Sequence, residues 1–138
     1  MRVLGVDPGS KRVGLAVSDA TATIAQPLAT IAAEPRETLA ERVAGVAREH
    51  EVTRIVVGLP RRLDGTLGPE AKAARALAEE IRRASKLAVD LVDERLTTAA
   101  AEKSLLERGM HREKRRANID RVAAAILLQS DLDRKRRE

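Results

Sequence analysis

Hydrophobic positions along this chain alternate between two spacings. Runs of β-branched and apolar residues at 2–7, 12–18, 53–59 and 87–92 have the alternating or continuous pattern of strands, and "PLATIA" at 27–32 is a weaker fifth candidate. Between them the spacing lengthens to three and four residues. In 35–50, Leu39, Val43, Val46 and Ala47 share one stripe behind Pro35; in 69–85, Ala73, Leu77, Ala78 and Ile81 do the same. A third helix is expected from about Thr97 to Arg108, stopping at Gly109, where a left-handed cap fits glycine. A last helix, from about Asn118 to Asp131, carries the apolar run "VAAAILL".

The resulting order is three strands, then helix and strand in alternation, then two helices. A tight turn joins the first two strands and makes that pair antiparallel, whereas strand–helix–strand connections make neighbours parallel. The expected class is therefore α/β: one mixed sheet flanked by helices. At 138 residues the chain has the length of one domain over 1–138, with 132–138 expected as a flexible charged tail.

Composition narrows the chemistry. With no cysteine, thiolate nucleophiles, disulfides and cysteine-held zinc are excluded. No apolar run approaches the roughly 20 residues that span a bilayer, and residues 1–20 lack the order of a signal peptide, so the expected location is cytoplasmic, without membrane. The formal charge is +5, and it is unevenly placed: residues 1–102 hold 15 basic and 15 acidic side chains, residues 103–138 hold 11 and 6. A localised basic surface points to a polyanion, most often nucleic acid. There is no Phe, Tyr or Trp, so nucleic acid must be held through phosphates, backbone amides and Arg rather than by aromatic stacking.

Three acids lie in apolar surroundings, where a lone carboxylate is costly unless paired or bound to a cation. Asp7 ends the first strand, just before Pro8–Gly9–Ser10–Lys11–Arg12. Glu94 follows another strand, with Asp93 as its competitor. Asp120 opens the last helix on the face that continues through Ala123, Ala124, Leu127 and Leu128. Each has an ordinary structural use, as a turn acceptor, a loop acid or a helix N-terminal acid. Together they could meet at one sheet edge, where hard oxygen ligands suit Mg2+ or Mn2+. Two such ions, about 3.5–4 Å apart, can activate water and stabilise the leaving oxygen of a phosphodiester. Lys11, Arg12, Arg61, Arg62, Arg95, Arg115 and Arg116 are candidates for holding the nucleic acid backbone. The Gly- and Pro-rich loop 58–69 is a further candidate for function. Of the two histidines, His50 is expected to be exposed at a helix end, and His111 lies in the basic run "HREKRR".

"GVDPGSKRVGLAVSD", "VVGLPRRLDGT", "VDERLTT" and "NIDRVAAAILL", in this order and spacing, closely resemble the YqgF family, also called RuvX, of Holliday junction resolvases and pre-ribosomal RNA nucleases. The resemblance spans essentially the whole chain. It implies a ribonuclease H-like fold with a five-stranded mixed sheet whose second strand is antiparallel. It also implies a metal-dependent nuclease site in which Asp7, Glu94 and Asp120 are the catalytic, metal-holding acids. Arg61–Arg62–Leu63 departs from the polar or apolar residues that relatives often carry there, and the lack of aromatics removes any stacking wedge for a branched substrate.

The expected function is an endonuclease using Mg2+ or Mn2+ on structured RNA, foremost the 5′ end of small-subunit precursor ribosomal RNA within pre-ribosomal particles. The alternatives are a resolvase cutting four-way DNA junctions and a non-catalytic RNA-binding module. A monomer or weak homodimer is expected. Actin-like and sugar-kinase ATPases share the first motif, but they close two lobes on a nucleotide, which one domain of this length does not supply.

Overall fold

The computed structural model describes residues 1–60, 66–94 and 119–137. Its strands are β1 (Arg2–Asp7), β2 (Arg12–Ser18), β3 (Ala25–Ala32), β4 (Val52–Leu59) and β5 (Ala88–Asp93); its helices are α1 (Arg36–Glu49), α2 (Pro69–Ser85) and α3 (Ile119–Arg136). The strands form one sheet in the order β3-β2-β1-β4-β5. β2 is antiparallel to both β1 and β3, whereas β4 is parallel to β1 and to β5. The mixed α/β sheet expected from the sequence is present, and the weak candidate at 27–32 is a full strand beginning at Ala25.

Alternation along the central strands sends successive side chains to opposite faces. Leu4, Val6, Val13, Leu15, Ile55 and Val57 join Leu39, Val43, Leu77 and Ile81 in the core beneath α1 and α2. Val3, Ala16, Val56 and Val92 pack with Ala124, Leu127 and Leu128 in a second core beneath α3. The chain thus forms a three-layer arrangement with α1 and α2 on one face and α3 on the other. Parity then places the ends of the parallel strands: Asp7 lies on the α3 face, two residues beyond Gly5. A Cβ on Gly5 would stand 2.9 Å from Leu128 Cβ.

Several expectations require correction. Ala73, assigned above to a buried stripe, is exposed, and Val46 and His50 are half-buried. Residues 132–136 are not a loose tail: α3 continues to Arg136, with Leu132 only 2% exposed. The extension is held by polar side chains that hydrophobic spacing does not register. Buried Asp131 pairs with Arg54 (2.5 Å) and Arg134 (3.0 Å), and Arg54 also reaches Asp90 at 3.1 Å. Buried Gln129 accepts from the Ala25 amide at 2.9 Å and donates to the Thr23 carbonyl at 3.0 Å, tying α3 to the start of β3. The helix expected at 97–108 lies outside the described residues.

Candidate active site

The three acids come from separate elements that end at the same edge of the sheet. Asp7 is the last residue of β1. Glu94 comes directly after β5, and Asp120 is the second residue of α3. Strand parity places Asp93 and Glu94 on opposite faces of the sheet. Val92 is buried beneath α3, so Asp93 faces the α1–α2 side and Glu94 returns to the α3 side.

Glycines let the carboxylates approach. A Cβ on Gly58, at the end of β4, would lie 2.6 Å from Glu94 Oε1 and 3.0 Å from Leu127 Cδ2. A Cβ on Gly14, the β2 residue paired with Asp7, would lie 1.9 Å from the Asp120 carbonyl oxygen. The start of α3 therefore rests directly on β2 backbone. Nothing in the hydrophobic pattern marks these two positions, although a glycine inside a strand signals close approach of another element.

The electrostatics follow from this crowding. Burial pushes the Asp7 carboxyl up to about 8, and a hydrogen bond with Glu94 and the negative charges of Glu94 and Asp120 act in the same direction. Near neutral pH Asp7 therefore holds a proton shared with Glu94. Asp120 has a cationic partner instead, with Arg12 Nε donating to its Oδ2 at 2.9 Å. With Asp120 so engaged, no three acidic or histidine side chains among the described residues close around one point. An acid kept protonated by burial and by a neighbouring carboxylate is nonetheless the donor chemistry that suits a hard divalent ion. A cavity of about 210 Å3 adjoins the pair, lined by Asp7, Glu94, Ala123, Ile126 and Leu127.

Of the candidate phosphate-holding cations, Lys11 in the turn after Asp7 and Arg12 at the start of β2 are both exposed. Arg61, Arg62, Arg95, Arg115, Arg116 and also His111 lie outside the described residues.

Solved structures first define the class. The fold is that of RuvC-like, ribonuclease H-like proteins. The Thermus thermophilus RuvC structure in complex with a Holliday junction substrate matches with a TM-score of 0.69 at 19% identity, covering 99% of this chain and 96% of that one. The fowlpox virus Holliday junction resolvase matches at 0.59 and 14%, covering 98% and 99%. The family follows from sequence: residues 1–134 match the model described as "RuvX: Holliday junction resolvase", and the chain belongs to that family. A relative from Roseiflexus sp. (strain RS-1) is 44% identical over 135 residues, 98% of this chain and 96% of its own. One from Pelotomaculum thermopropionicum is 46% identical over 142 residues, 100% and 92% of the two chains. Both carry the name "Putative pre-16S rRNA nuclease".

Proposed function

We propose that this protein is a metal-dependent endonuclease that hydrolyses phosphodiester bonds in structured RNA, foremost at the 5′ end of small-subunit precursor ribosomal RNA. The observation that carries the reading is the protonated Asp7 held against Glu94 at the sheet edge, near enough to Asp120 to feel its charge. Two half-buried carboxyls held together this way serve no packing purpose that an apolar pair would not serve better. The names of the relatives favour RNA as the substrate.

Asp7, Glu94 and Asp120 are the residues that would hold Mg2+ or Mn2+, two ions in the fullest form of the site. When bound, the metal supplies positive charge that lowers the pKa of the attacking water and offsets charge building on the phosphate. The chain's own groups do the rest. Asp7 would have to be ionised to hold the ion, which would release Glu94 from its hydrogen bond with Asp7. Arg12 exchanges Asp120 for a backbone phosphate, and Lys11 reaches the next one, so that the strand is fixed across the edge of the sheet. Ile126 and Leu127 form an apolar wall that limits water around the acids.

The second reading, cleavage of four-way DNA junctions, is favoured by the family description and by the RuvC likeness. Paired incision needs a two-fold dimer, whereas RNA cleavage needs only one copy, and we expect a monomer or weak homodimer acting on pre-ribosomal particles in the cytoplasm. Wild-type protein offered a labelled precursor 5′ leader and a synthetic four-way junction at equal concentration tests the choice. Preferential cutting of the leader by a species that sediments as a monomer is the expected result. Symmetric paired nicks in the junction, with the leader intact, would replace this reading by the second.

A further inference from the structure

On the opposite side of the sheet from the carboxylates, a pocket of about 440 Å3 opens against the same Pro8–Gly9–Ser10 turn. Its floor is aliphatic, with Val13 and Leu39 from the main core and Leu77 from α2. Pro8 and Pro60 add rigid apolar walls, and the exposed Ala73 of α2 lines one side. The volume lies low in the range of small-ligand pockets, enough for one base and its ribose. Asp7, which lines the cavity of the acid site, is followed directly in the chain by Pro8, Gly9 and Ser10, which line this pocket.

We propose that this pocket receives one unstacked nucleobase of the strand whose phosphate lies at Asp7, Glu94 and Asp120. The inference rests on the nuclease reading and deepens it by giving the site a base-recognition subsite. Single-stranded RNA is read by splaying bases out of the stack, and a displaced base is held between aromatic or apolar side chains. The chain has no Phe, Tyr or Trp to serve as a stacking platform, so the aliphatic slot beside the turn takes that part. Charge identifies the guest further. The ionisable side chains lining the pocket are Glu34, Glu70 and Arg36. Arg36 is already engaged with Glu80 at 2.7 Å, and its backbone amide donates to Glu34 at 3.2 Å. Two carboxylates repel a phosphate but accept hydrogen bonds from an exocyclic amino group, so the favoured guest is an amino-bearing base such as adenine rather than a free nucleotide phosphate.

The lack of aromatic residues also makes the test clean, since a base ring entering the pocket would shift the methyl resonances of Val13, Leu39 and Leu77 upfield with little ring-current background. The probe is a short oligoadenylate, added to full-length Asp7→Asn protein so that the RNA stays intact. Its partner is the same backbone without bases. The expected result is upfield movement of these methyls with oligoadenylate alone, accompanied by amide shifts at Lys11 and Arg12 with both probes. Adding Ala73→Leu, which fills the pocket from an exposed helical position, should weaken oligoadenylate binding about tenfold and abolish the methyl shifts. Amide shifts at Lys11 and Arg12 without methyl shifts would overturn the base pocket and leave the nuclease reading standing. Methyl shifts equal for the abasic strand, or unaffected by Ala73→Leu, would also overturn it. Silence at both places, together with no cleavage by wild type in manganese, would overturn both.

Discussion

Arg12 and Asp120 are 108 residues apart in sequence and meet at 2.9 Å where the start of α3 crosses the start of β2. The pair is exposed, with the Arg12 side chain 63% accessible. It therefore adds little stability, of the order of 1 kcal/mol or less. Its position matters more: it occupies one of the three acids and holds a cation one turn from the other two.

Arg12→Ala should accordingly leave the thermal midpoint nearly unchanged while weakening nucleic acid binding. Removing one phosphate contact lowers the slope of log affinity against log salt by about 1. Titrations at several salt concentrations check this, and an unchanged slope would show that Arg12 serves Asp120 alone.

Asp7 gives the free protein a pH dependence of a definite sign. Its carboxyl titrates near 8 when folded against an ordinary value of 3.8. A raised value means that the folded state favours the protonated form. The associated stability is fully present below about 3.8 and is lost as pH rises through about 8. In chelator, wild type should therefore unfold at lower denaturant at pH 9 than at pH 6, whereas Asp7→Asn should lose that difference. Saturating Mn2+ should restore stability at the alkaline end, because a bound cation favours the ionised form.

Glycines separate into those that carry contact and those that do not. Gly14→Ala would drive a Cβ into the Asp120 carbonyl, 1.9 Å away, so α3 must shift or the protein must lose stability. Either outcome should lower cleavage at least tenfold. Gly45 lies within α1 and its Cβ would meet nothing closer than Arg48 Nη2 at 3.9 Å. Gly45→Ala should stabilise by about 0.5–1 kcal/mol with activity unchanged. Chemical denaturation and a cleavage assay on both variants check the contrast.

At the far end of the sheet, Asp131→Ala would strip Arg54, whose side chain is 14% exposed, of its buried partner. Arg54 keeps Asp90 at 3.1 Å, so the cost is that of one hydrogen bond between charged groups, about 1.5–3 kcal/mol. Activity per folded molecule should survive, because the pair stands at the opposite end of the strands from Asp7. Denaturant midpoints paired with active-site titration separate the two effects.

The five strands and the three described helices follow from hydrophobic spacing, which reports burial on one face. The same logic singles out Asp7, Glu94 and Asp120, because acids interrupting apolar runs are conspicuous. What spacing does not show is polar burial. Gln129 and Asp131 extend α3 through contacts with residues more than 70 positions away, which is why 132–136 read as a tail. Gly14 and Gly58 likewise matter through what another element places above them, information that exists only once α3 is docked. The pocket beneath Pro8 is invisible for a similar reason: Ala73 looks like one more stripe residue until α2 is seen to turn it outward.

Cleavage of labelled precursor ribosomal RNA 5′ leader by wild type and Asp7→Asn, each in manganese, magnesium or chelator, tests the central claim most directly. The account predicts metal-dependent cutting by wild type, none in chelator, and a loss of at least 100-fold (about 2.7 kcal/mol in the barrier) in Asp7→Asn with binding retained. Equal binding by both proteins with no cutting by either, or cutting that persists in Asp7→Asn, would show that these carboxyls shape a turn rather than hold a metal.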